Sequence, residues 1–220
     1  MDANRLLVSV ADAYASLSSY SDEGVVNTTL RMPEASFQHT IKFSTAYVKP
    51  NLFRFKFEIP HPYPPLAHFI TTHMCGFDGT SAYLWTQRHD QPAEVRIETQ
   101  FDMAVAGATG ISGGSVLTIA SLFFREVGGV RITDLTSAVM ADDEDFEGTR
   151  CHVVRAQHPR GYVQTLWIDH TTLTIRKTSR GGEYPSEEIR RNIRLNEPID
   201  AQIFARPEGV AVRRTRPGAM

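Results

Sequence analysis

Between residues 24 and 99 the hydrophobic positions recur every second residue. In the stretch NLFRFKFEI (51–59), Phe53, Phe55, Phe57 and Ile59 point one way while Arg54, Lys56 and Glu58 point the other. The same alternation predicts strands at 24–32, 36–48, 52–59, 66–77, 80–87 and 93–99. Asp78-Gly79 and Pro50-Asn51 mark tight reversals between them, so successive strands should be antiparallel neighbours in a meander. Alternation resumes at 150–157, 162–169, 172–179 and 187–196, and a last short strand is expected at 202–205.

Two regions follow a different period. Residues 3–18 repeat Leu7, Val10, Tyr14 and Leu17 at helical spacing, with Asn4, Asp12 and Ser16 on the far side, which predicts an amphipathic helix. Val116, Ile119, Ala120, Phe123 and Val127 do the same, predicting one or two helices over 101–127 with the glycine-rich 107–114 as their hinge. HPYPPL (61–66) carries three prolines, which a central strand cannot hold, and reads as a stiff loop or lid at one rim. Residues 130–141 fit neither period, and ADDEDFEGTR (141–150) reads as a polar turn. The expected fold class is mainly β (α+β), helix then meander then helical insertion then second meander, with the helices gathered to one side. A single domain over 1–220 is expected, with an N-terminal helix (1–20), a helical lid insertion (101–141) and a basic tail (206–220).

The chain has 220 residues, 41% hydrophobic and 22% charged, enough to bury a substantial core without disulfide or metal staples. A net charge of −2 argues against nucleic acid as the main partner, since phosphate binding needs a basic surplus. No stretch approaches the ~20 apolar residues of a membrane span. The N-terminal MDANRLLVSVADAYASL is not a secretory signal, because Asp2 and Asp12 interrupt a short apolar run, so the chain is cytosolic or its signal has been removed. Cys75 and Cys151 are expected as buried free thiols rather than a disulfide.

Three groupings could carry chemistry. Gly110-Ile111-Ser112-Gly113-Gly114 matches G-x-S-x-G, with Asp169 and His170 following in hydrolase order. A nucleophile elbow needs a parallel strand leading into a helix, and the strands here read antiparallel, so a helix-connecting loop is expected instead. His61, His68, His73 and Cys75 lie close in sequence, but strand parity puts His68 on the face opposite His73 and Cys75, which argues against a shared metal. Asp142–Asp145 lacks the glycine-punctuated spacing of a calcium loop. No catalytic residue, metal or cofactor is expected. The aromatics Phe43, Tyr47, Phe53, Phe55, Phe57, Tyr83 and Trp85 suit either a filled β-core or a ligand cavity.

Four phrases, in order along the chain, resemble the bacterial LolA/LolB-like lipoprotein-carrier fold, which includes the sensor domain of RseB. They are VADAYASLSSYSDEG at the first helix and turn, FDGTSAYLW (77–85), LWIDHTTLTIRK (166–177) and NEPIDAQIFARPEGVAV (196–212). The resemblance implies a strongly curved antiparallel sheet forming an unclosed barrel, with helices covering its mouth over an apolar cavity. It implies non-enzymatic binding or transport of a lipid or lipoprotein acyl chain in the cell envelope, in the periplasm. The cavity would be lined by Phe43, Tyr47, Phe53, Phe55, Phe57, Tyr83, Trp85, Ile119 and Phe123, with the 113–127 helix as part of the lid. The alternative it implies is an RseB-like stress sensor acting through an envelope protein partner; a serine hydrolase using Ser112 ranks third.

Overall fold

A computed structural model describes residues 2–32 and 35–214. The N-terminal helix α1 (Ala3–Ser16) is capped by Asp2, whose carboxylate accepts from the Arg5 amide at 3.0 Å, and it buries Leu6, Leu7, Val10 and Tyr14. The first meander follows as β1 (Ser19–Met32), β2 (Ala35–Val48), β3 (Leu52–Pro60), β4 (Ile70–Asp78), β5 (Ala82–Gln87) and β6 (Glu94–Glu98). Two nine-residue helices, α2 (Phe101–Thr109) and α3 (Ser115–Phe123), come next. The second meander is β7 (Thr136–Phe146), β8 (Thr149–Gln157), β9 (Val163–Asp169), β10 (Ile175–Arg180) and β11 (Ser186–Leu195), and β12 (Ala211–Arg214) ends the described chain.

All twelve strands form one sheet in the order β12-β6-β5-β4-β3-β2-β1-β11-β10-β9-β8-β7. Pairing of β1 with β11 joins the two meanders, and every pair is antiparallel except β12 with β6. Among the described residues the edge strands β12 and β7 are not paired with each other, so the curved sheet stays unclosed, as expected. No described helix is long and apolar enough to cross a membrane.

Several boundaries differ from expectation, each for a local reason. β1 starts at Ser19 rather than residue 24, because Tyr20 and Asp22 turn inward as a hydrogen-bonded polar pair that hydrophobic alternation cannot register. β4 starts at Ile70 rather than 66, since Pro64–Leu66 form a 3₁₀ turn. Residues 130–141 and the acidic run are not a lid end and a turn: 136–146 are the edge strand β7, and the turn is Glu147-Gly148, both with positive φ. The helical insertion therefore ends before Thr136, and two bulges in β7 explain the missing alternation. The strand expected at 202–205 is a 3₁₀ turn, Ala201–Phe204, capped by the Asp200 carboxylate. Part of the expected basic tail, 211–214, is strand β12, and 215–220 lie outside the described residues.

Candidate functional site

The register fixes which side chains share the inner face. Phe53 lies between Tyr47 and Phe77, Phe55 between Thr45 and Cys75, and Phe57 between Phe43 and His73. Successive side chains alternate, so these rows face one side, and Phe53, Phe55 and Phe57 are each 0% exposed. Phe43 stacks on Phe55 with centroids 5.2 Å apart, and Phe53 meets Phe101 and Phe124 edge-on. Tyr47 stacks on Phe123 at 4.1 Å, and Ile119 is fully buried in the same core cluster. Gly24 is required here, because a Cβ would fall 2.3 Å from the Phe43 ring and 2.2 Å from the Ile189 carbonyl. Seven of the nine expected lining residues thus share one core cluster, five on the inner face of β2 and β3 and two, Ile119 and Phe123, on α3.

Tyr83 and Trp85 are placed differently from expectation. Tyr83 pairs with Gly76 and Trp85 with Met74, while Cys75 and Phe77 are the β4 residues that face inward with the phenylalanines. Both aromatics therefore sit on the outer face. Tyr83 is buried there by the C-terminal segment, its hydroxyl donating to the Phe204 carbonyl at 3.2 Å. Leu84, one residue along, is the β5 side chain that faces α2, within reach of Gly107.

Beside the aromatic floor lies a buried ionic row that the sequence did not disclose. Arg190 of β11 is 1% exposed and donates to Asp22 at 2.6 Å, to Glu188 and to the Ser115 carbonyl of α3 at 3.4 Å. Its guanidinium lies 4.9 Å from the Phe43 ring centroid, a cation–π contact. Burial would lower the Arg190 pKa, but Glu188 and Asp22 outweigh it and hold the guanidinium charged. Burial raises the Glu188 carboxyl despite Arg190, and pushes the Tyr14 hydroxyl up to about 12. Tyr20 donates to Asp22 at 2.6 Å. The second Asp22 oxygen and the Thr45 hydroxyl are buried on this face without a hydrogen-bond partner. Residues 186–195 read Ser-Glu-Glu-Ile-Arg-Arg-Asn-Ile-Arg-Leu, whose hydrophobic parity points Ile189 inward, yet Arg190 takes the inner face.

Between α3 and the inner face of the second meander lies a cleft of about 110 Å³, bordered by Leu117, Ile132, Leu135, Tyr162, Thr178 and Glu188. The joint between α2 and α3 needs glycine, with φ of 67° at Gly113 and 93° at Gly114.

The other groupings separate. Ser112 is fully buried in that joint and donates to the Thr109 carbonyl, while the Asp169 carboxylate caps the Thr171 and Thr172 amides. His170 instead bonds Asp143. His73 lies half-buried against Phe57, and desolvation lowers its pKa to about 4; His61 and His68 stay in the exposed rim loop. Cys75 and Cys151 are both buried and free.

No family model matches the sequence, and no curated protein matches it. Solved structures similar to the chain include an uncharacterized conserved protein from Thermus thermophilus, at 9% identity, covering 96% of this chain and 98% of that one with a TM-score of 0.55. LprF from Mycobacterium bovis aligns at 12% identity over 90% of this chain and 94% of that one, TM-score 0.51. A LolA superfamily protein from Nitrosomonas europaea aligns at 10% identity over 94% and 98%, TM-score 0.34. At these identities the likeness to the Thermus thermophilus protein and to LprF is one of fold alone.

Proposed function

We propose that this chain binds the acyl chain of a lipid or lipoprotein, without catalysis, between its inner aromatic wall and the α2–α3 pair, and that it works in the bacterial cell envelope. The observation that carries this reading is the cover itself. The most aromatic face of the sheet is closed by two short helices joined through glycines that stand at positive φ, rather than by a second sheet. In the closed state these rings pack on one another, so an acyl chain enters by displacing Phe101, Ile119, Phe123 and Phe124 from the floor of β2–β4. Each methylene buried contributes roughly 0.8 kcal/mol, which offsets the lid contacts given up. A ligand's polar end has groups to meet at the floor's edge, where Arg190, Asp22 and Thr45 lie side by side. An apolar wall with a few convergent polar groups is the usual composition of a small-molecule site.

Protein purified from a bacterial host should release substoichiometric fatty acid or phospholipid on organic extraction, with matching adducts in native mass spectra. An empty extract together with no saturable uptake of a fluorescent fatty acid would overturn the reading. The N-terminus of the native precursor tests the envelope location: a signal segment is expected upstream of this helix.

A further inference from the structure

Away from the lid, three chain segments bring two imidazoles and a carboxylate together. The bulge between Ala141 and Glu144 in β7 carries Asp143, β8 carries His152, and the turn after β9 carries His170. Asp143 Oδ1 lies 3.1 Å from His152 Nδ1, and Oδ2 lies 2.9 Å from His170 Nε2. The two rings stack with centroids 3.6 Å apart, and the three donor atoms all lie within 4.8 Å of one another.

The backbone holds each of these residues in place. The Asp169 carboxylate accepts from the Thr171 and Thr172 amides, and the His170 amide donates to the Arg150 carbonyl, so the turn presents its imidazole over β8. His152 shares its strand face with Val154 and pairs with buried Ile168, so its position is set by the sheet. Bulges recur where a strand must re-aim a side chain, and this one turns Asp143 toward both rings.

We propose that Asp143, His152 and His170 form a binding site for a divalent late transition metal, zinc foremost, with one position open to water. Two imidazole nitrogens and one carboxylate oxygen are the donor set of zinc, cobalt, nickel and copper, whereas calcium and magnesium require oxygen ligands throughout. Tetrahedral zinc at ordinary bond lengths separates its ligand atoms by about 3.3 Å, so small side-chain rotations suffice. Cys151 faces the other side of β8 and is no ligand. An ion here ties the edge strand β7 to β8 and to the β9–β10 turn, closing off an edge that is otherwise free to fray.

The test is a titration of EDTA-stripped, full-length protein with Co²⁺, followed by visible d–d absorption, and then displacement by Zn²⁺. Saturation at one ion per chain is expected. His170→Ala, at an exposed turn position that should leave folding intact, weakens binding by about tenfold or more, as do His152→Ala and Asp143→Asn. His61→Ala and His89→Ala, in the opposite rim loops, leave it unchanged. Zn²⁺ should raise the melting temperature of the wild type and not of His170→Ala, because a ligand that binds only the folded state stabilises it. Equal binding by the wild type and the His152→Ala/His170→Ala double variant, or no saturable binding at all, would show the trio to be an ion-paired carboxylate only and overturn the proposal.

Discussion

The inner face of the first meander is built from rings, Phe43, Tyr47, Phe53, Phe55 and Phe57, whereas the second meets the interior with the aliphatics Val154, Leu166, Ile168 and Ile175. Between them, on β1 and β11, runs the ionic row of Asp22, Arg190 and Glu188. The ring-bearing half is covered by α2 and α3, which pack on it through Phe101, Phe123 and Phe124. The aliphatic half is pinned to the N-terminal helix, where the Tyr14 hydroxyl accepts from the Ile175 amide at 3.1 Å. Two halves of one sheet therefore bury their inner faces by different means. Rings set in rows form one continuous aromatic floor beneath two short helices. The aliphatic half is tied down by a specific hydrogen bond and borders the small polar-edged cleft.

The largest effects should come from breaking each half in turn. Phe55→Ala empties a fully buried ring site and should cost about 3–5 kcal/mol at any pH. Arg190→Met should cost a similar amount, about 3–5 kcal/mol near neutral pH, because it strands buried carboxylates. That loss should shrink on acidification as Glu188, whose carboxyl burial already raises, takes up a proton. Urea melts of both variants across pH would separate a packing defect from an electrostatic one.

A smaller, pH-dependent effect belongs to His73 in the aromatic half. Its folded pKa is depressed from 6.5 to about 4 by burial beside Phe57, so between those values the unfolded chain binds a proton that the folded one refuses. Stability should therefore fall as pH drops through that window, and His73→Gln should flatten the slope. The smallest effect is expected from Lys56→Glu on the outer face, where the exposed pair with Glu58 is lost. Its melting midpoint should shift by no more than about 0.5 kcal/mol equivalent.

Much of this was legible in the sequence because hydrophobic periodicity records which residues are buried. The strand at 52–60, the amphipathic helix and the helical break after residue 100 all follow from it. Periodicity carries no information on register, so it cannot place Tyr83 and Trp85: parity within β5 is plain, but which parity faces inward depends on how β4 pairs with its neighbours. Arg190 and Glu188 are not legible as buried, because charged residues on a strand read as solvent-facing unless their partners, here Asp22 far away in sequence, are known. The acidic run of β7 was hidden by its bulges, which cancel alternation, and with it the meeting of Asp143, His152 and His170.

Acyl binding under α2 and α3 requires that these helices move, and hydrogen exchange with and without a long-chain fatty acid tests this directly. In the free protein, residues 101–127 should exchange faster than 52–60, since the helices are short and joined by glycines while β3 is paired on both sides. Adding the fatty acid should change exchange across α2 and α3 and leave β7–β9 as they were. Protection of 101–127 equal to that of β3, unaltered by saturating fatty acid, would contradict a movable cover over an acyl-binding floor and leave the aromatic wall as plain core.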